Sequence, residues 1–372
     1  MPTEFDEHRL DALAEDPGLD PGGLLRQFAS AAAQVRAART AAVEAGLHRL
    51  ASEGRPRSIV VAGGGVAAQA GEVLAAVLGN GCPVPISSVR GHRLPGWVGG
   101  HDLVVAVAAT SGHEAAATVR IAAEAVRRGC RFLAVGLPGG PLADLAERAR
   151  APHVALPLAG EPRTMLWSLL VPLLVAAGHL GAAGLPETVY EATADRLEET
   201  ARRCGPTVET FENPAKTLAL DVAGTLPLVC GASPIADLAA RAFADRLAGT
   251  AGYPALTGAP PGLARDRYPL LEGPFGATGP RSIFDDPVED GRVRMRLVVL
   301  RDEEDGLPEA AAELAAVERA AHERGTPVSG IEVPEGHPME RLAGLIALTD
   351  YATVYLAVAY GADPLANTLV VR

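Results

Sequence analysis

One arrangement recurs down this chain and narrows what it can fold into: an apolar strand ends in a loop of small residues, and an alanine-rich helix follows. Ser58-Ile59-Val60-Val61-Ala62 runs into Gly63-Gly64-Gly65 and a helix over 69–78. Asp102-Leu103-Val104-Val105-Ala106-Val107 runs into Ala109-Thr110-Ser111-Gly112 and a helix over 115–128. The second half repeats the order, with Leu226-Pro227-Leu228-Val229-Cys230, Gly231-Ala232-Ser233-Pro234 and a helix over 235–248. A strand over 294–300 then leads into Arg301-Asp302-Glu303-Glu304 and a helix over 308–323. Strands alternating with helices through short connections predict parallel sheets covered on both faces, because a parallel crossover is carried by a helix lying on the sheet. The fold class is therefore α/β with two doubly wound parallel sheets in tandem, divided into residues 1–185 and 186–372.

Loops of this kind suit anions. Glycine lets the backbone approach a ligand, and the free N–H groups at the positive end of the following helix favour a phosphate. The candidate phosphate-binding residues are Gly63, Gly64, Gly65, Thr110, Ser111 and Gly112, with His113 and Glu114 beside them and Ser233 in the second half. An ordinary strand-to-helix turn uses the same residues, so the loops alone do not establish a ligand. Gly63-x-Gly65-x-x-Ala68 also fits a dinucleotide fingerprint, but the next strand, 83–89, ends in Ser87-Ser88-Val89-Arg90, without the carboxylate that holds a nicotinamide ribose.

A net charge of -12 with no basic cluster excludes a nucleic-acid partner, since phosphate-backbone binding needs a Lys/Arg footprint. Cys82, Cys130, Cys204 and Cys230 are far apart and read as small buried hydrophobes in a reducing cytoplasm. The first 20 residues are acidic and polar where a secretory segment would be basic and then apolar. The apolar stretch 165–177 is too short for a bilayer and contains Pro172, so no membrane partner is expected. The histidines lack metal-ligand spacing, and neither a metal nor another cofactor is implied. Residues 253–289 are dense in Gly and Pro and read as a long loop. A final helix near 339–360 is apolar all round, which predicts burial inside the domain or against a second subunit.

Together these segments resemble the double sugar-isomerase (SIS) domain proteins, and among them the bifunctional phosphoglucose/phosphomannose isomerase family. The resemblance rests on the loops at Gly63 and at Ser111-Gly112, on Glu161-Pro162-Arg163, and on Asn213-Pro214-Ala215-Lys216-Thr217-Leu218-Ala219. It continues through Gly231-Ala232-Ser233-Pro234, Leu300-Arg301-Asp302 and Pro338-Met339-Glu340-Arg341-Leu342. It implies two SIS domains, a homodimer in the cytoplasm, and a sugar phosphate held by the first-half loops. It also implies aldose-ketose isomerisation between glucose 6-phosphate or mannose 6-phosphate and fructose 6-phosphate, with Arg163 as the catalytic cation beside the reacting carbons.

Several positions depart from the family pattern. The serine of the first glycine loop is absent from Gly63-Gly64-Gly65-Val66-Ala67, and the Asn-Thr pair of the second loop is replaced by His113-Glu114. Aligning from Tyr253-Pro254-Ala255 puts Ala264-Arg265-Asp266-Arg267 where the isomerisation base stands, and Asp305-Gly306-Leu307 where the ring-opening histidine stands. Moving a proton between C1 and C2 needs a base, and Arg163 cannot act as one at neutral pH. The expectation is a phosphosugar-binding protein with impaired or altered isomerase chemistry. The alternative is an active isomerase with a rearranged site in which Asp266, Glu114 or His113 takes the base's role.

Overall fold

The computed structural model describes residues 4–91, 93–110, 113–157, 159–182, 184–277, 293–302 and 307–365; the side chains of His113 and Glu114 lie outside this description. The strands are β1 Ile59–Ala62, β2 Ile86–Val89, β3 Leu103–Ala108, β4 Arg131–Gly136, β5 His153–Ala155, β6 Thr225–Gly231, β7 Leu256–Gly258, β8 Arg294–Arg301 and β9 Val328–Glu332. The helices of the first half, in chain order, are α1 His8–Ala12, α2 Leu24–Ala29, α3 Ala31–Glu44, α4 Gly65–Leu78, α5 His113–Arg127, α6 Gly140–Ala149 and α7 Leu166–His179. Those of the second are α8 Glu187–Arg203, α9 Pro214–Val222, α10 Pro234–Arg246, α11 Leu263–Asp266, α12 Pro269–Glu272, α13 Pro308–Glu323 and α14 Pro338–Ala359.

The strands form two sheets, ordered β2-β1-β3-β4-β5 and β7-β6-β8-β9, and every pairing is parallel. Two compact units carry them. One spans Ala29–Glu198, and the other joins Met1–Phe28 to Glu199–Val370. The division between these units falls inside α8, and the leading residues belong to the second sheet's unit.

In the first unit β3 reads Leu-Val-Val-Ala-Val-Ala and is buried along its whole length, as a strand covered on both faces must be. Its even-numbered residues Ala106 and Ala108 pack with Ala115 and Ala122 of α5 and with Leu142 and Leu145 of α6. On the opposite face α4 lies across β1, β2 and β3, and α7 packs against α3 and α4. In the second unit Leu228, Cys230, Leu297 and Val299 form a core with Leu314 and Val317 of α13 and with Leu263 and Leu271 of α11 and α12. Helix α10 lies on β6, β7 and β8 from the other side and carries α14 on its back.

Helix α14 is long and apolar enough to cross a membrane, yet its apolar stretch is 94% buried within the protein. It packs on α1, α9 and α10, so one chain accounts for its apolar circumference and no second subunit is required for that. Its start is fixed by a capping box: Met339 N–H donates to His337 Nδ1 at 3.2 Å, and His337 N–H donates to Glu340 Oε1 at 3.3 Å.

The segment expected as an irregular loop over 253–289 is only partly so. Up to residue 277 it holds β7, α11 and α12, and the rest, 278–292, lies outside the described residues. A three-residue edge strand, Leu-Thr-Gly, is too short to show an alternating pattern, which is why β7 was not legible. Strand β2 is also shorter than expected, beginning at Ile86, while α4 begins earlier than expected, directly at Gly65.

Candidate functional site

In an open parallel sheet the strand order reverses at one point, and a crevice opens there beyond the carboxyl ends of two neighbouring strands. In the first sheet that point lies between β1 and β3, since the chain leaves β1 for β2 on one side and returns to β3 on the other. The loops leaving these strands are the glycine loop at 63–65 and the loop at 109–112. The strand order therefore sets the glycine loop beside Ala109 and Thr110, the start of the connection after β3.

The three glycines differ in role. A Cβ on Gly63 would lie 2.6 Å from the Ala67 Cβ and 2.9 Å from the Val107 carbonyl oxygen, so this glycine exists to let the turn sit on β3. Gly64 is the N-cap of α4, in extended backbone, and contributes no side-chain cap. Gly65 has a φ of +49°, a left-handed conformation that side chains disfavour. Among the described residues no side chain caps the first N–H groups of α4 at the carboxyl end of β1, and uncapped N–H groups at a helix N-terminus can receive an anion.

Of the other expected contacts in this unit, Thr110 is partly buried two residues beyond β3. Ser111 and Gly112 lie outside the described residues, as do the side chains of His113 and Glu114, although α5 does begin at His113.

Arg163 sits in a 3-10 turn, Pro162–Thr164, that packs against α4. Its Nε donates to Glu161 Oε1 at 2.9 Å, and both side chains are largely buried. The turn is held firmly. Thr164 Oγ1 donates to the Glu161 carbonyl at 2.8 Å, and Gln34 Nε2 of α3 donates to the Thr164 carbonyl at 2.9 Å. Sequence reading singled out Arg163 and passed over Glu161 as a partner; the two-residue spacing, which a tight turn brings together, was the available signal.

Ser233, expected to bind ligand, has its hydroxyl engaged inside the protein. It caps α10 by accepting from Ala236 N–H at 2.9 Å and donates to Asp302 Oδ1 at 2.5 Å. The other Asp302 oxygen accepts from Arg341 Nη1 at 3.3 Å, and Arg341 is 1% exposed.

Asp266, the closest acid to the expected base position, lies on α11 with its carboxylate against Arg265 Nε at 2.9 Å and remains well exposed. The hydrogen bond from Arg265 is the main influence on it and holds its pKa below the ordinary value, which makes it a weak base. Arg267 is turned to the Thr257 carbonyl, to which its Nε donates at 2.9 Å. Cys204 and Cys230 offer no nucleophile, because burial raises their thiols to about 12. Among the described residues no group of His, Cys, Asp and Glu is placed to hold a metal ion. Strand β2 ends at Val89, and Arg90 beyond it is paired with Glu72 at 2.6 Å, so the corner where a dinucleotide ribose would rest carries a guanidinium.

Residues 211–371 match the family described as bacterial phospho-glucose isomerase C-terminal SIS domain. The chain is 24% identical over 308 residues to a bifunctional phosphoglucose/phosphomannose isomerase of Caldicellulosiruptor bescii, which covers 82% of this chain and 85% of that protein. Solved structures share the fold at lower identity. The tagatose-6-phosphate ketose/aldose isomerase of Escherichia coli superposes with a TM-score of 0.65 at 15% identity, covering 94% of this chain and 95% of the other. The C-terminal domain of glucosamine-fructose-6-phosphate aminotransferase from Francisella tularensis superposes with a TM-score of 0.62 at 12% identity, covering 91% and 96%. A glucose-6-phosphate isomerase like protein of Thermus thermophilus gives 0.51 at 22% identity, covering 84% and 86%.

Proposed function

Starting from a chain that is a divergent member of the bifunctional phosphoglucose/phosphomannose isomerase family, we propose that it binds a sugar phosphate in the crevice of its first unit and isomerises it poorly. The observation that carries this is the α4 N-terminus behind Gly63, Gly64 and Gly65, which has no side-chain cap and stands at the reversal point of the sheet. The phosphate sits on those N–H groups beside Thr110, and the sugar extends toward the turn that carries Arg163. No cofactor takes part. The protein works as a cytoplasmic homodimer, in line with the family.

Aldose-ketose isomerisation removes the proton from C2 of the aldose, passes through an enediolate and delivers a proton to C1, while the hydroxyl and carbonyl exchange places. Arg163 supplies the positive charge that stabilises the enediolate. The base is what this chain lacks at the position the family uses, where Ala264, Arg265, Asp266 and Arg267 stand. Without a positioned base the rate falls by roughly a hundred- to ten-thousand-fold.

One observation favours a second reading, an active isomerase with a rearranged site. Glu161 places a carboxylate 2.9 Å from the Arg163 guanidinium, so base and electrophile would come from a single turn. Thermal-shift titration with fructose 6-phosphate, glucose 6-phosphate and mannose 6-phosphate tests binding, and assays in both directions test turnover. No shift with any of the three would end the sugar-phosphate reading. Turnover within the usual range of about 1 to 1,000 per second would favour the second reading over the first.

A further inference from the structure

The second sheet repeats the layout of the first: β6 and β8 are neighbours, β7 lies outside β6, and α10 starts at the reversal point just as α4 does. Even the close-packed glycine recurs, because a Cβ on Gly231 would lie 2.4 Å from the Ala236 backbone. Two switch points of the same construction raise the question of whether each takes a phosphate.

Their chemistry is opposite. At α4 the N-cap is Gly64, which has no side chain to offer, and among the described residues none caps the helix end. At α10 the N-cap is Ser233, whose hydroxyl serves both Ala236 N–H and the Asp302 carboxylate. Asp302 is the residue immediately after β8 and is 8% exposed. One of its oxygens takes the serine hydroxyl and the other faces the Arg341 guanidinium of α14. A helix-capping hydroxyl and a buried guanidinium are the partners a bound phosphate would be given. Here a carboxylate of the chain itself has them.

The space beside it does not suit a second anion. The cleft there, of about 200 Å³, is lined by Ser233, Arg301, Asp302 and Glu318 among small apolar residues. Among the described lining residues the one guanidinium, Arg301, is bonded to Glu318 at 2.5 Å and faces Glu332 at 3.5 Å. A phosphate entering would meet two carboxylates and a cation already neutralised.

We propose that the second crevice is an anion site with a built-in occupant, the Asp302 carboxylate, and that the chain therefore binds sugar phosphate in its first crevice only, one per chain. The last clause rests on the sugar-phosphate reading above; the built-in occupant does not. This assignment also explains why a charged pair is kept in the core, where replacing it with apolar residues is often no worse for stability. The pair balances the Arg341 charge and closes the α10 end against ligands.

Asp302→Ala tests it, because the substitution vacates the position while leaving Ser233 and Arg341 in place. Melting is followed in sodium formate or acetate against sodium chloride at equal ionic strength, with the wild type and Asp302→Asn alongside. The expected result is an Asp302→Ala midpoint below wild type that rises saturably with formate, while the other two respond no more than they do to chloride. An equal response from all three proteins, or none from Asp302→Ala, overturns the proposal. If Asp302→Ala does not fold, Asp302→Asn, Arg341→Gln and their double variant replace it. The double variant should lose clearly less stability than the sum of the singles, and additivity overturns the proposal. Calorimetric titration of the wild type with fructose 6-phosphate should then give one site per chain, and two sites would overturn the restriction to the first crevice. Absence of any binding would count against the sugar-phosphate reading alone, since the formate experiment contains no sugar.

Discussion

Lys216, the single lysine of the chain, is completely buried and donates its Nζ to Asp11 Oδ1 at 2.8 Å. The same ammonium donates to the carbonyls of Pro206 and Val208 at 3.0 and 2.7 Å and lies 5.6 Å from the centre of the Tyr355 ring. The family motif at Asn213-Pro214-Ala215-Lys216 is therefore an anchor for the N-terminal segment. Asn213 caps α9 by accepting from Ala215 and Lys216 N–H, at 3.0 and 3.1 Å, and so fixes the helix from which Lys216 extends.

Asp11→Asn should lower stability by about 1–3 kcal/mol, because a buried ammonium loses its charged acceptor. Partial burial pushes the Asp11 carboxyl up, but hydrogen bonds from Lys216 and Thr210 outweigh it and hold its pKa below the ordinary value. Its contribution is thus present above the unfolded-chain value near pH ~4 and is lost as pH falls through the lower folded value. Chemical denaturation at neutral pH should separate wild type from variant, and the gap should close on acidification. A gap that widens in acid would contradict the assignment.

Gly63→Ala tests the packing role of the first glycine. The added methyl would meet Ala67 Cβ at 2.6 Å and the Val107 oxygen at 2.9 Å, so a loss of about 1–3 kcal/mol is expected from overpacking. A midpoint unchanged from wild type would mean that the turn stands further from β3 than described here.

The repeating strand, loop and helix order was legible in the sequence because each β-strand buried on both faces reads as an unbroken apolar run, as in Leu103–Ala108. The strand β7 was not, since three residues at a sheet edge carry no periodicity. The segments of the candidate site, the glycine loop and the turn with Arg163, stand out in the sequence as motifs, whereas the partners of the Ser233 hydroxyl do not. Ser-Pro opening a helix reads alike whether the hydroxyl caps or binds, and Asp302, 69 positions away, decides between the two. The same holds for Lys216, whose carboxylate partner lies 205 positions earlier.

Gly64→Asp separates helix capping from phosphate binding. Gly64 has an extended backbone with a φ of -104°, a conformation open to residues with a side chain. A carboxylate at the N-cap should stabilise α4 by about 0.5–2 kcal/mol while occupying the N–H groups a phosphate needs. The melting midpoint should rise and the thermal shift with sugar phosphates should disappear. An unchanged shift would place the phosphate elsewhere.

Turnover distinguishes the two readings of the chemistry. Fructose 6-phosphate incubated in deuterated water acquires deuterium at C1 if any base removes the proton, even without net conversion. The expected wild-type rate lies below about 1 per second, the lower end of common enzyme rates. Arg163→Met should abolish what remains. If Glu161 is the base, Glu161→Gln should lower the rate by roughly a hundred- to ten-thousand-fold, whereas a small effect would confine it to positioning Arg163.

On this reading one of two similarly built crevices holds a sugar phosphate, and isothermal titration of the wild type with fructose 6-phosphate counts the occupied sites. A single site per chain is expected, one whose heat disappears in Gly64→Asp. Two sites per chain, no heat at all, or binding that survives Gly64→Asp would contradict it.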